Sequence, residues 1–261
     1  MTATVGNGVL LAARNVSKNF GGLQAVSDVS IDVRTGTIHA LIGPNGAGKT
    51  TFFNNLSGFY FPDAGNVYFK GEEITRELSY KRIRRGMSRT FQTPSIFPEL
   101  SVQENLMIGV QAQQNLAFEM RVPSRTQRQR LEARVDELLG FVNLTRVKHR
   151  LVSELSHGSQ RLCEIAMSLT TNPTMVLLDE PMAGLAESET TRVINTVRDL
   201  RDRLGLTVLF VEHNMRVVLN VAEKITVLDR GKLLAEGTPA EISANQAVRE
   251  AYLGSEVIAR V

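Results

Sequence analysis

The 261 residues contain one cysteine, Cys163. That excludes an internal disulfide and any metal site built from several thiolates. No run of 18 apolar residues occurs, so no stretch reads as a bilayer-spanning helix. The first residues, MTATVGNGVLLAARN, lack a basic segment followed by a long apolar one. The expectation is a cytosolic protein without a signal peptide. An excess of one charge is also small, at +3 with 22% charged residues. By itself this does not argue for nucleic acid, and no nucleic-acid partner is expected. The basic residues gather in YKRIRRGMSR (80–89) and RVPSRTQRQR (121–130). These read as solvated helix faces, or as a surface toward anionic lipid or an acidic partner.

What is present is an ordinary globular composition, 43% hydrophobic, with length for one large domain or two small ones. The first seventy residues read mostly as strands. LLAARNVSKNF and AVSDVSIDV are broken by GG and RTG, and NVYFKGEEI (66–74) suggests two short strands around a Lys-Gly turn. TIHALIG (37–43) is an apolar strand entering a Gly-rich loop. From about 101 to 171 the pattern is helical, with Leu131, Val135, Leu138, Leu139 and Val142 at helical spacing. Beyond 174 strands and helices alternate: MVLLD, a helix over 187–203, TVLFV, a helix over 214–223, and ITVLD. Alternation implies parallel strands joined by crossovers. A mixed β region and a parallel α/β core therefore flank a helical insert.

GPNGAGKTT, residues 43–51, matches the phosphate-loop pattern at Gly43, Gly48, Lys49 and Thr50. Glycines let backbone bend around phosphate oxygens without a Cβ clash. A helix starting near Lys49 would aim free N–H groups and its positive end at the anion. The binding set is Gly43, Pro44, Asn45, Gly46, Ala47, Gly48, Lys49, Thr50 and Thr51. Lys49 is expected on the β- and γ-phosphates of ATP and Thr50 on Mg²⁺.

MVLLDEP (175–181) ends an apolar strand in two acids. Asp179 is expected to hold the Mg²⁺ shell, through water because Mg²⁺ dehydrates reluctantly. Glu180 then stands beside the γ-phosphate to polarise the attacking water. His213 ends TVLFVEH, on a strand expected beside that of Asp179, where a neutral imidazole could bond the γ-phosphate or the water. Gln92, in RTFQTP, lies between an apparent strand and a Pro, and reads as a loop glutamine or as an amide touching Mg²⁺ or the water. LSHGSQR (155–161) has no metal-ligand spacing and no nucleophile–base arrangement, and it precedes an apolar helix.

The phosphate loop, FQTPSIF, LSHGSQR, VLLDEP and VEH follow in that order. The set resembles the nucleotide-binding subunit of ABC transporters over nearly the whole chain. The resemblance implies a P-loop α/β fold: a RecA-like parallel sheet core, an antiparallel β subdomain, and a helical subdomain at about 93–170. It spans 8–254 as one domain, with 255–261 as a tail. It also implies that Gln92 is the Q-loop residue, His213 the switch histidine, and Phe20 the aromatic that stacks on adenine. Ser156, Gly158 and Gln160 become signature residues completing the ATP site of a second ATPase chain. The partners implied are that second chain, identical or not, transmembrane permease subunits and, indirectly, a solute-binding protein. The place implied is the cytoplasmic face of the inner membrane. NFGGLQAVSDVS, RTFQ and EGTPAEI…AYLGSE look most like branched-chain amino acid importer ATPases. Similar ATPases serve urea importers and lipid or lipopolysaccharide exporters, and a soluble iron–sulfur assembly ATPase is compatible in size. Two departures stand out. Ala183 and Ala186 occupy positions where the family has Ser and Asp, and His157 and Ser159 occur where Gly is common.

Overall fold

A computed structural model describes residues 6, 8–90, 96–113 and 124–252. Gln92, parts of the expected helical subdomain and the 255–261 tail lie outside the described residues.

Two sheets build the fold. The first is antiparallel, in order β2-β1-β4-β5, with β1 Val9–Phe20, β2 Leu23–Arg34, β4 Ala64–Phe69 and β5 Glu72–Glu73. Between β4 and β5, Lys70 (φ 53) and Gly71 (φ 80) are both left-handed. A two-residue hairpin loop requires that conformation to match strand twist. The second sheet runs β10-β9-β3-β8-β7-β6. Its strands are β3 Ile38–Ile42, β6 Met87–Arg89, β7 Met175–Asp179, β8 Thr207–Val211, β9 Lys224–Asp229 and β10 Lys232–Gly237. All neighbours are parallel except β9 and β10. Strands β3, β7 and β8 are wholly buried, as continuous apolar runs in a sheet covered on both faces should be.

The period of two along a strand divides the hydrophobic core. Ile38, Ala40 and Ile42 face one cluster with Val176, Leu178, Val208 and Phe210. Leu41, Leu177, Leu209 and Val211 face the other, with Phe52, Phe53 and Leu56 of α1 (Lys49–Ser57) and the antiparallel sheet. Helix α1 is thus held between the two sheets.

The other face carries α3 (Val102–Gln113), α4 (Arg125–Phe141), α5 (His157–Leu169), α6 (Glu187–Asp202) and α7 (Met215–Val221). Leu131, Val135, Leu138, Leu139 and Val142 are buried there as their spacing predicts. The expected helical stretch is interrupted between α4 and α5. Two 3-10 turns, Thr145–Val147 and Val152–Glu154, and a bridge from Ser101 to Leu151 tie it back to the start of α3. Helix α7 starts one residue after its predicted start because Asn214 is its cap, Oδ1 accepting from the Arg216 and Val217 N–H groups.

Alternation did not disclose α2 (Ser79–Arg84), or the closing β10, α8 (Pro239–Ala244) and α9 (Gln246–Tyr252), whereas the strand expected before Gln92 is present as β6. The basic run over 80–89 is also not simply a solvated face. Arg82 is fully buried and donates to the carbonyls of Asn55, Leu56, Ile74, Thr75 and Glu77 at 2.6–3.2 Å. Two of these acceptors belong to the last turn of α1, whose carbonyls lack intrahelical partners. Burial lowers the Arg82 pKa to about 10, with Glu77 opposing.

Candidate active site

Strand β3 runs at the centre of the parallel sheet, and residues 43–48 turn from it into α1. Gly48 is left-handed (φ 91), and a Cβ there would lie 2.3 Å from the Ala25 carbonyl oxygen. At Gly43 a Cβ would meet the Leu228 oxygen at 2.2 Å. Neither position admits a side chain, so both glycines are fixed by close backbone approach as well as by dihedral angle. The loop is further pinned by Gly231 N–H to the Ala47 carbonyl, 3.1 Å. The first turn of α1 opens onto a cavity of about 510 Å³, lined by residues 23–25, residues 45–51, Glu180 and Arg230. Free N–H groups of a helix start make such a cavity an anion site.

The Lys49 ammonium folds back onto the Gly43 and Pro44 carbonyl oxygens, at 2.7 and 3.0 Å. Burial lowers its pKa, and the nearby Glu180 carboxylate opposes that. An ammonium hydrogen-bonded to two neutral carbonyls can donate to phosphate oxygens instead.

Asp179 ends β7 beneath the surface, 3% exposed, and Glu180 follows with φ 45. A left-handed glutamate is uncommon, and such strain gathers at functional sites. The turn sends the Glu180 carboxylate to the cavity wall. Burial raises the Asp179 pKa and the Arg89 guanidinium opposes it, Nη2 to Oδ2 being 3.0 Å. Strand β8 lies beside β7, with Asp179 opposite Val211, as predicted. His213 accordingly comes next to Glu180, Nδ1 lying 3.9 Å from Glu180 Oε1.

The other predicted residues are more scattered. Phe20 is 43% exposed at the end of β1, edge-on to Tyr60 at 5.4 Å between centroids. It stands outside the cavity lining. Ser156 caps α5, its Oγ accepting from Ser159 N–H. Gly158 N–H donates to Glu189 Oε1 at 3.1 Å, and Glu189 Cβ would be only 2.7 Å from a Cβ at 158. Gln160 donates its amide to the Val152 and Leu155 carbonyls, bracing the turn before α5. None of these three lines the cavity of their own chain.

Known proteins with this arrangement decide the family. The ABC transporter family matches residues 26–183, and a second family, described as branched-chain amino acid ATP-binding cassette transporter, matches 232–258. The chain belongs to the ABC transporter ATP-binding family. It is an ABC ATPase. It is similar to the high-affinity branched-chain amino acid transport ATP-binding protein BraF of Pseudomonas aeruginosa, 39% identical over 94% of this chain and 98% of that one. It is also similar to the lipopolysaccharide export system ATP-binding protein LptB of Haemophilus influenzae, 37% identical over 95% and 98%. The ADP conformation of the ATP-binding cassette MJ1267 superposes with a TM-score of 0.83 at 34% identity, covering 94% of this chain and 99% of that one.

Thr50, in the first turn of α1, and Asp179, at the end of β7, are each oxygen donors of the kind Mg²⁺ takes. Mg²⁺ fits them, since it takes one or two carboxylates and leaves its other positions to phosphate oxygens and water.

Three groups at this site escaped the sequence reading. Glu212, 1% exposed, accepts from Met182 N–H at 2.8 Å and from His213 N–H at 3.2 Å. It therefore ties the loop after Glu180 to the histidine. Burial raises its pKa, and the two N–H groups oppose that. The acid beside the histidine in VEH was the available signal. Arg89 bonds Asp179, and the R of RTFQ was likewise in view. Tyr252 on α9 is buried with its hydroxyl toward the Gly43 backbone N–H. Nothing in the sequence announces that contact, because it joins residues about two hundred positions apart.

Proposed function

We propose that this ABC ATPase is the nucleotide-binding subunit of an importer for branched-chain or other hydrophobic amino acids. The observation that carries the chemistry is Glu180, a residue of left-handed backbone on the wall of the phosphate cavity, its carboxylate 3.9 Å from His213. Residues 232–258 and the names of BraF and LivG relatives support the solute class.

In this reading the loop N–H groups take the ATP phosphates, and Lys49 leaves its two carbonyls for the β- and γ-phosphates. Glu180 accepts a proton from the attacking water as its oxygen bonds the γ-phosphorus. The bridging P–O bond breaks and ADP departs with that electron pair. His213 bonds the γ-phosphate or the water. Thr50, Asp179 and Gln92 would hold Mg²⁺, which would neutralise phosphate charge when bound. Phe20 stacks on adenine. Ser156 and the N–H groups at the start of α5 serve the ATP of a second ATPase chain, since they lie off their own cavity. ATP bonded to both chains favours the closed pair, as only differential binding can. Permease subunits carry the solute, a solute-binding protein delivers it, and the ATPase works at the cytoplasmic face.

Export of a lipid-like solute is the second reading, favoured by the LptB relatives. Mild solubilisation of native membranes around the tagged chain distinguishes them. Importer permeases with an amino-acid-binding partner are expected. Recovery with export subunits selects the second reading, and recovery with soluble factors alone rejects transport.

A further inference from the structure

Arg89 is the last residue of β6, and its guanidinium is nearly enclosed. One end, Nη2, donates to Asp179 Oδ2 at 3.0 Å. The other, Nη1, donates to Asn54 Oδ1 at 2.6 Å and to Ser57 Oγ. Its Cζ lies over the Phe53 ring, 4.9 Å from the centroid. Asn54, Ser57 and Phe53 all belong to α1. Thr90, the next residue, adds its Oγ1 as acceptor for the Asp179 N–H at 3.3 Å.

The two oxygen donors assigned to Mg²⁺ come from different elements, Thr50 from α1 and Asp179 from β7. Arg89 touches both elements at once. A rigid fork can do this, because its donors point in fixed directions, where a lysine offers a single flexible ammonium. Burying an arginine also removes it from water, and burial does lower its pKa, with Asp179 opposing. The α1 acceptors and the ring hold the group in one place.

We propose that Arg89 is a positioning residue for the metal site. It holds Oδ2 of Asp179 so that Oδ1 is presented to the Mg²⁺ shell, and it fixes Asp179 relative to the helix that carries Thr50. This rests on the reading of Asp179 and Thr50 as the metal donors. Partners that hydrogen-bond a ligating carboxylate typically change metal affinity about 10- to 100-fold when removed.

The test is Mg²⁺ titration of the full chain with a fluorescent ATP analogue, alongside binding without metal and thermal melting. For Arg89→Met the half-saturating Mg²⁺ concentration is expected to rise about tenfold or more, with metal-free binding within twofold of the wild type. Arg89→Lys should fall between the two. A melting temperature lowered without any change in Mg²⁺ requirement would mean a purely structural arginine and overturns the proposal. If Arg89→Met does not fold, Asn54→Ala with Ser57→Ala releases the fork from α1 while keeping both charges. It should raise the Mg²⁺ requirement several-fold, and an unchanged requirement overturns the proposal. Asp179→Asn separates the two levels of inference. If that variant leaves the Mg²⁺ requirement unchanged, the metal-site reading itself fails. If it raises the requirement while the Arg89 variants do not, only the role of Arg89 fails.

Discussion

Replacing His39 by leucine should remove much of the acid sensitivity of folding. His39 is fully buried on β3, its Nε2 2.8 Å from Thr226 Oγ1. The Thr226 hydroxyl donates its one proton to Glu236 at 3.0 Å, so His39 Nε2 must be the donor and Nδ1 the bare nitrogen. Nδ1 has no hydrogen-bond partner among the described residues. Protonation would bury a charge with an unanswered N–H. Burial, and then the charge of Lys224, lowers the pKa from 6.5 to about 3. Lys224 itself pairs with Glu236 at 2.9 Å.

Between those values the unfolded chain binds a proton that the folded chain refuses. Stability from this group is therefore complete above pH 6.5 and falls as pH drops toward 3. At 1.36 kcal/mol per unit, about 2.7 kcal/mol is lost between pH 7 and pH 4.5. Urea unfolding of wild type and His39→Leu at both pH values isolates this share, because the carboxylates are common to both proteins. The wild type should lose about 2–3 kcal/mol more than the variant. Equal losses, to within about 0.5 kcal/mol, would refute the reasoning.

Lys49→Ala should weaken ATP binding on the order of a hundredfold, the loss of charge-assisted bonds to phosphate; calorimetry showing an unchanged Kd would remove Lys49 from the phosphate site. Glu180→Gln should bind ATP and hold the closed pair while turnover drops about 10²- to 10⁴-fold; turnover near wild type in a phosphate-release assay would discard Glu180 as the base. Arg82→Met should cost on the order of 4 kcal/mol in urea unfolding, since it strands several buried carbonyls; a cost under about 1 kcal/mol would mean that other donors satisfy them.

The site was legible where its chemistry is compressed into consecutive residues. GPNGAGKTT carries loop, lysine and helix start together, and MVLLDEP carries strand and acids together. The placement of His213 beside Glu180 followed from parallel alternation, which puts strand ends on one edge. Other features depend on tertiary contact and left weaker traces. Arg82 looks like any basic residue in YKRIRRGMSR until α1 is seen ending against it. Strand β6 is three residues long and carries no periodicity to read. The Gln160 amide, grouped in the sequence with nucleotide contacts, bonds the turn before its own helix.

The glycines of the phosphate loop bear on how the protein is made. The loop occupies residues 43–48, yet its near neighbours include the carbonyl of Leu228 and the N–H of Gly231, from the hairpin of β9 and β10. A ribosome must therefore deliver most of the chain before these contacts can form. A nascent chain that has emerged only through α6 carries every residue of the loop but lacks one of its walls. The nucleotide site therefore lacks its Leu228–Gly231 wall until the hairpin of β9 and β10 has been made, although its loop residues come within the first fifty.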